Sequence, residues 1–180
     1  MNLTGKQLAE QGIITNIGDD SIQQVGVDLQ LIKVEHLFGI GLIPKEGKTK
    51  LTKYLDIPKG ELIIGVEEIK TDQGTESIPI ESTGWKLNPG TYSITFNQGC
   101  KVPNNQMLLI RQRSSLARNG SWIHSSVFDP GFQTERIGTI MIITQPIEIE
   151  YEARIAQAYT HECNTVENLY DGQYQKDLQR

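Results

Sequence analysis

Helical periodicity ends at Gly12, and that loss constrains the fold more than any other feature of the chain. From there to about residue 160 the sequence runs as short apolar stretches cut by turn formers. The stretches are Val27–Val34, Glu61–Glu67, Ser77–Ile80, Thr91–Asn97, Gln106–Gln112, Ile137–Thr144, Ile147–Tyr151 and Arg154–Thr160. Between them lie Pro44, Gly47, Pro58, Gly60, Asp72, Gly74, Asn88-Pro89-Gly90, Pro103-Asn104-Asn105 and Pro146, residues that favour turns and interrupt regular structure. Many short strands at this spacing predict an all-β barrel or sandwich. In one stretch Ile137, Thr139, Met141 and Ile143 alternate with Gly138, Ile140, Ile142 and Thr144. Both faces are largely apolar, which predicts a central strand or one at a subunit interface.

Two short helices are expected. Thr4-Gly5-Lys6-Gln7 has capping-box spacing, and Gly12 is placed to end the helix that follows. Ser114 or Ser115 is placed to cap Leu116-Ala117-Arg118-Asn119, with Gly120 as the stop. Residues 161–180 are polar with isolated aromatics, and are read as a tail or lid on one domain spanning 1–180. A chain of 180 residues buries roughly two-thirds of its unfolded surface, so it needs neither metal nor disulfide to fold.

Charge narrows the partners. Seventeen basic against 22 acidic residues give −5, which argues against a nucleic-acid binder with a basic face. A small anion held by a few focused arginines remains compatible. Two cysteines, Cys100 and Cys163, exclude a disulfide scaffold and read as small buried hydrophobes in a reducing compartment. No apolar run approaches the ~20 residues of a membrane span. Met-Asn-Leu-Thr-Gly-Lys lacks the apolar centre of a signal peptide, so a cytoplasmic location is expected.

The densest polar segment is Arg111-Gln112-Arg113-Ser114-Ser115-Leu116-Ala117-Arg118, at a strand-to-helix junction. Free N–H groups at a helix start and forked guanidinium donors both suit phosphate, although most such runs are solvated turns. Eleven residues after Arg118 comes Asp129-Pro130-Gly131-Phe132, which reads as part of a hairpin. A partly buried aspartate there can polarise water, while an ordinary turn aspartate is the commoner case. His161-Glu162-Cys163 lacks the further ligands of a zinc site. His124 is read as structural, Trp85 and Trp122 as core or interface residues, and Phe38–Lys53, with four lysines, as an exposed loop.

Five elements in order give a more specific resemblance: Gly26-Val27-Asp28-Leu29, Leu87-Asn88-Pro89-Gly90, Arg113 to Arg118, Asp129-Pro130-Gly131-Phe132, and Arg154-Ile155-Ala156-Gln157. Together they resemble the dUTPase and dCTP deaminase superfamily over essentially the whole chain, closer by motif to the deaminase and bifunctional branch. The resemblance implies a distorted, all-β barrel with short helices that assembles as a homotrimer, its active sites at subunit boundaries. It implies a deoxypyrimidine nucleoside triphosphate as ligand, with Mg2+ held through the substrate phosphates.

By position, Arg113 and Ser114 then meet the phosphates, Ser115 supports the turn, and Arg118 reaches the triphosphate across the interface. Gln157 binds phosphate or base, Phe132 lies beneath the deoxyribose, and Asp28 supports the sugar or the water-binding aspartate. Asp129 matches the carboxylate that deprotonates water for attack on the α-phosphorus. Tyr170 and Gln173 match a tail motif, Lys-Tyr-x-x-Gln, whose lysine is here Leu169; Lys176 or Arg180 is the candidate substitute.

Deaminases of the superfamily carry a glutamate ten residues after that aspartate as proton shuttle. Here the position is Thr139, or Ile140 with a one-residue insertion, and neither can shuttle protons. Gln133-Thr134-Glu135-Arg136 also replaces a shorter glycine-containing turn, and Glu135 is expected at the hairpin tip. The expected activity is hydrolysis of dUTP to dUMP and diphosphate. The alternatives are dCTP deamination, alone or coupled to hydrolysis, and a non-catalytic nucleotide-binding regulator.

Overall fold

A computed structural model describes residues 2–46, 49–50, 52–71 and 74–172. In chain order the elements are α1 (Gly5–Glu10), β1 (Ile14–Thr15), a 3-10 turn (Asp19–Ser21), β2 (Val27–Phe38), β3 (Lys53–Asp56), β4 (Gly60–Thr71), β5 (Gly74–Leu87), β6 (Gly90–Phe96) and β7 (Gly99–Lys101). They continue as β8 (Gln106–Gln112), α2 (Ser114–Arg118), β9 (Ser121–His124), β10 (Gln133–Thr134), β11 (Gly138–Ile143), β12 (Ile147–Glu150) and β13 (Arg154–Glu162). All eight expected strands are present.

The sequence pattern explains the helix ends. Thr4 forms the expected capping box with Gln7, and Gly12 turns the chain at φ 63°, where a side chain is strained. At α2 the expectation fails in detail. The N-cap is Arg113, and Ser114 and Ser115 lie inside the first turn. The Arg113 N–H is held by the Ile155 carbonyl (2.8 Å) and its own carbonyl accepts from Ala117 (3.2 Å), so the backbone enters the helix one residue earlier.

The main sheet runs β8-β13-β2-β6-β11-β9, with β3 paired to β2. Every pairing in it is antiparallel. Its two outer strands are drawn together where Leu108 and Phe128 exchange backbone hydrogen bonds of 3.0 Å each, so the sheet curls into a nearly closed barrel. Leu29, Leu31, Ile94, Phe96, Leu108 and Met141 fill it, each fully buried. Burying a side chain of this size contributes about 1.5–3 kcal/mol. β11 lies one strand in from the edge, between β6 and β9; Met141 and Ile143 enter the core, while on its other face Ile140 is half-buried and Ile142 exposed, so the two apolar faces do not make it a strand buried on both sides.

A small sheet, β1-β7-β10, covers one end. Buried Gln98 ties it to the barrel: its Oε1 accepts from Gln30 N (2.8 Å), and its Nε2 donates to the Asn16 carbonyl (3.2 Å). A third sheet, β12-β5-β4, carries β4 and β5 outward as a long ribbon. Trp85 at its base is core, its Nε1 donating to the Ile57 carbonyl (2.9 Å), whereas Trp122 is exposed. Among the described residues no helix is long and apolar enough to cross a membrane.

Of the two cysteines, both expected to be buried, one differs from expectation. Cys100 is fully buried, and burial pushes its thiol up to about 12, while Cys163 is only half-buried. Thiolate, not thiol, reacts with alkylating agents. Iodoacetamide on the native protein should therefore label Cys163 alone, read by peptide mass, and label Cys100 only after denaturation.

Candidate active site

The expected site residues fall into two groups on this chain. The first is built on neighbouring strands. β13 pairs with β2 on one side and β8 on the other, so Gln157 lies opposite both Asp28 and Arg111. Cross-strand partners share a face, which sets these three side chains in one row. Gly26 permits the approach: a Cβ there would lie 2.4 Å from the Ala158 carbonyl oxygen and 3.0 Å from Gln157 Cγ. Arg113, two residues beyond Arg111, reaches back to Asp28 at 3.2 Å. Ser114, Ser115 and Arg118 are exposed on α2. α2 has five residues, barely more than one turn, so the positive character here comes from guanidinium groups more than from a helix dipole.

Asp28 is 1 % exposed. Burial raises its carboxyl above the ordinary carboxylate value, and the charges of Arg113 and Arg154 oppose that rise. Arg154, from the same Arg-Ile-Ala-Gln run, is engaged by Asp20 at 3.2 Å and holds the 3-10 turn against β13. Asp28 therefore fixes Arg113 and is itself shielded from solvent.

The second group lines a cleft of about 480 Å³. Of the two readings the sequence left open, the structure gives the exposed turn aspartate: Asp129 stands at the cleft wall, directly after Phe128, which bridges Leu108 at the barrel seam. Gly131 turns the chain at φ 89°, and the Phe132 N–H returns to the Asp129 carbonyl (3.0 Å). Phe132 packs edge-on against Phe128 (5.1 Å between centroids) and Tyr170 (5.5 Å). The Tyr170 N–H donates to the Pro130 carbonyl (2.9 Å), so the described part of the tail lies on the turn that presents Asp129. Gln173, Lys176 and Arg180 lie outside the described residues.

Two further residues line the cleft: His124, which the sequence places five residues before Asp129 but which was weighed as structural, and Arg136, which the sequence reading did not single out for the site. His124 is exposed on the same wall as Asp129, contrary to its reading as structural, and Arg136 brings a cation to the rim. The pairing of β9 with β11, Ile140 opposite His124, places His124 there, and that pairing depends on a long connection that local sequence does not specify. Arg111 had a local signal, its two-residue offset from Arg113 along one strand face. Glu135 points to a separate polar cleft with Thr15, Asn16 and Lys101. Thr139 lines the Asp129 cleft, and its hydroxyl donates to the His124 carbonyl (3.0 Å). β11 carries no carboxylate along its length.

The two groups are separated along β8. Asp129 follows the residue paired to Leu108, while Arg113 stands five residues further on, about 16 Å at the rise of an extended strand. Among the described residues no cluster of three or more His, Cys, Asp or Glu side chains is placed to hold a metal ion.

A family model described as dCTP deaminase-like matches residues 3–162. The chain is 33% identical over 160 residues to the deoxyuridine 5'-triphosphate nucleotidohydrolase of Methanocaldococcus jannaschii, covering 88% of this chain and 90% of that protein. A relative from Aeropyrum pernix, named for the same activity, is 29% identical over 178 residues, 97% of this chain and 98% of its own. Among solved structures, a 2'-deoxycytidine 5'-triphosphate deaminase from Agrobacterium tumefaciens shares the fold with a TM-score of 0.56 at 15% identity. That likeness covers 88% of this chain and 47% of the deaminase chain.

Removing the Arg113 side chain leaves Asp28 buried without its nearest counter-charge. Arg113→Ala should cost about 1–3 kcal/mol in urea unfolding at pH 7. The Asp28 carboxyl, already raised by burial, rises further in the variant. A group with a raised folded-state value contributes most stability when protonated, and that contribution is lost as pH rises through its folded value. The deficit should therefore shrink as pH falls toward 4. A deficit equal at pH 4 and pH 7 would contradict the role given to the pair.

Proposed function

Because the chain belongs to the dCTP deaminase-like family, we propose that it hydrolyses dUTP to dUMP and diphosphate, with Asp129 as the general base. The observation that carries this reading is the content of the cleft. Among the described residues one exposed carboxylate lines it, and the adjoining β11 supplies no acid to protonate a pyrimidine ring. The hydroxyl at Thr139 is committed to a backbone carbonyl. The residues thus suit attack by water at phosphorus and lack a proton shuttle for attack at a ring carbon.

In the proposed reaction Asp129 accepts a proton from water, whose oxygen bonds to the α-phosphorus as the bond to the bridging oxygen breaks. Diphosphate leaves with that oxygen. Arg113, Ser114, Arg118 and Gln157 hold the phosphate chain, and the arginines oppose the charge that develops on it. Phe132 sits under the sugar, and Tyr170, already packed edge-on against it, closes that side. Asp28 positions Arg113 and touches no substrate.

Mg2+ fits this site only as a companion of the triphosphate, whose oxygens supply its ligands, since no protein cluster is built for it among the described residues. It would neutralise phosphate charge. The separation along β8 favours a site shared between copies, Asp129 from one and the arginines from another, in a homotrimer located in the cytoplasm.

With dUTP and magnesium, the protein should release diphosphate, and in 18O-labelled water the label should enter dUMP. Asp129→Asn should lower kcat by at least about a thousandfold with unfolding unchanged, because the side chain is exposed. Ammonia released from dCTP at a comparable rate, or label entering diphosphate, would contradict the assignment.

A further inference from the structure

The β4–β5 ribbon leaves the barrel with apolar side chains that none of the described residues covers. Leu62 is buried at its base, but Ile63 is 63 % and Val66 64 % exposed, and Ile69, Ile78 and Ile80 are exposed as well. The register sets Gly65 opposite Ile80, Glu67 opposite Ile78 and Ile69 opposite Glu76. Three isoleucines and two glutamates therefore share one face. β4 is also the outer strand of its sheet, so its free edge faces outward. A two-stranded ribbon is marginal in water, and an exposed apolar surface of this kind marks a contact. Its charge is acidic: Glu61, Glu67, Glu68, Glu76 and Glu81 stand against Lys70 and Lys86 in the described ribbon.

A second uncovered apolar surface lies between β2 and β3. Ile40 is 89 % and Ile43 87 % exposed, beside Phe38, Leu42 and Leu55. Sequence suggested a plain loop here. Instead Leu42 and Lys50 exchange backbone hydrogen bonds of 2.8 and 2.9 Å, which makes a hairpin-like excursion. Its charge has the opposite sign, with Lys45, Lys50 and Lys53 against Glu46 among the described residues.

We propose that the ribbon of one copy docks on the apolar surface formed by Phe38, Ile40, Leu42, Ile43 and Leu55 of a second copy, isoleucines against Ile40, Leu42 and Ile43, with glutamates meeting lysines at the rim. The occupant is a second copy because both halves of the match, apolar and of opposite charge, are encoded in one chain. Different patches meet, so the contact is heterologous and passes from copy to copy until a ring closes. None of these residues belongs to the Asp129 cleft or the Arg113 group, so the contact stands or falls independently of the proposed activity.

The test mixes unlabelled and nitrogen-15-labelled protein, allows subunit exchange, and applies a zero-length carbodiimide cross-linker. Peptides should join Lys45, Lys50 or Lys53 of one isotope to Glu67, Glu68 or Glu76 of the other. The triple variant E67K/E68K/E76K should lose these links and raise the dissociation concentration, measured by sedimentation, by about tenfold, as expected for three exposed ion pairs turned repulsive. Adding K45E/K50E/K53E in the same chain should restore it to within about threefold of wild type. Links within a single isotope only, a dissociation concentration unmoved by the first triple variant, or failure of the second to restore it would each overturn the proposal. A wild-type chain that sediments as a monomer at every concentration would do the same, and would leave the ribbon to a different partner.

Discussion

The position of β13 between β8 and β2 governs the rest of the structure. Two ladders lock Gln157 into one row with Arg111 and Asp28, and the second ladder closes to within contact distance because residue 26 has no side chain. Asp28 is thereby buried, at a desolvation cost that Arg113 offsets only in part. The same pair stiffens the start of α2, where the remaining polar side chains are displayed. A cluster of arginines is not otherwise expected to hold one geometry, since exposed guanidinium groups lose considerable side-chain freedom when fixed. Here one of them is fixed by a carboxylate beneath it, which prepares the junction to receive an anion.

The barrel also explains why the chemistry is divided. Closing the sheet at Leu108 and Phe128 brings the Asp129 turn to one stretch of β8, while the strand's far end carries Arg113. In the proposed site, a nucleotide held by the Asp129 cleft of one copy and the arginines of another would bridge that distance without rearranging either group. The docking of ribbon on excursion adds a second reason for copies to associate, remote from the cleft and built from surfaces that water alone covers poorly.

Much of this was legible in the sequence because it was local. Alternating apolar runs and turn residues located all eight main strands, and the Thr4–Gln7 box and Gly12 bounded α1. Short pieces such as β1, β7, β9 and β10 were not visible, because a strand of two to four residues is defined by its partner more than by its composition. Asp129 and Phe132 were placed from motif order, whereas His124 was weighed as structural and Arg136 was not singled out: their approach to the cleft depends on β9–β11 pairing across a long connection. The serines of α2 were misplaced by one turn position because a tertiary hydrogen bond from Arg113 to Ile155, invisible locally, sets where that helix begins.

The division of the site between copies is tested most directly by mixing two inactive chains. Asp129→Asn removes the proposed base and Arg118→Ala the proposed phosphate ligand; both side chains are exposed, so neither change disturbs the core. After subunit exchange in equal amounts, about a quarter of wild-type dUTP hydrolysis should return, the share of sites that random association assembles from two intact parts. If each site were contained in one chain, the mixture would stay as inactive as its components.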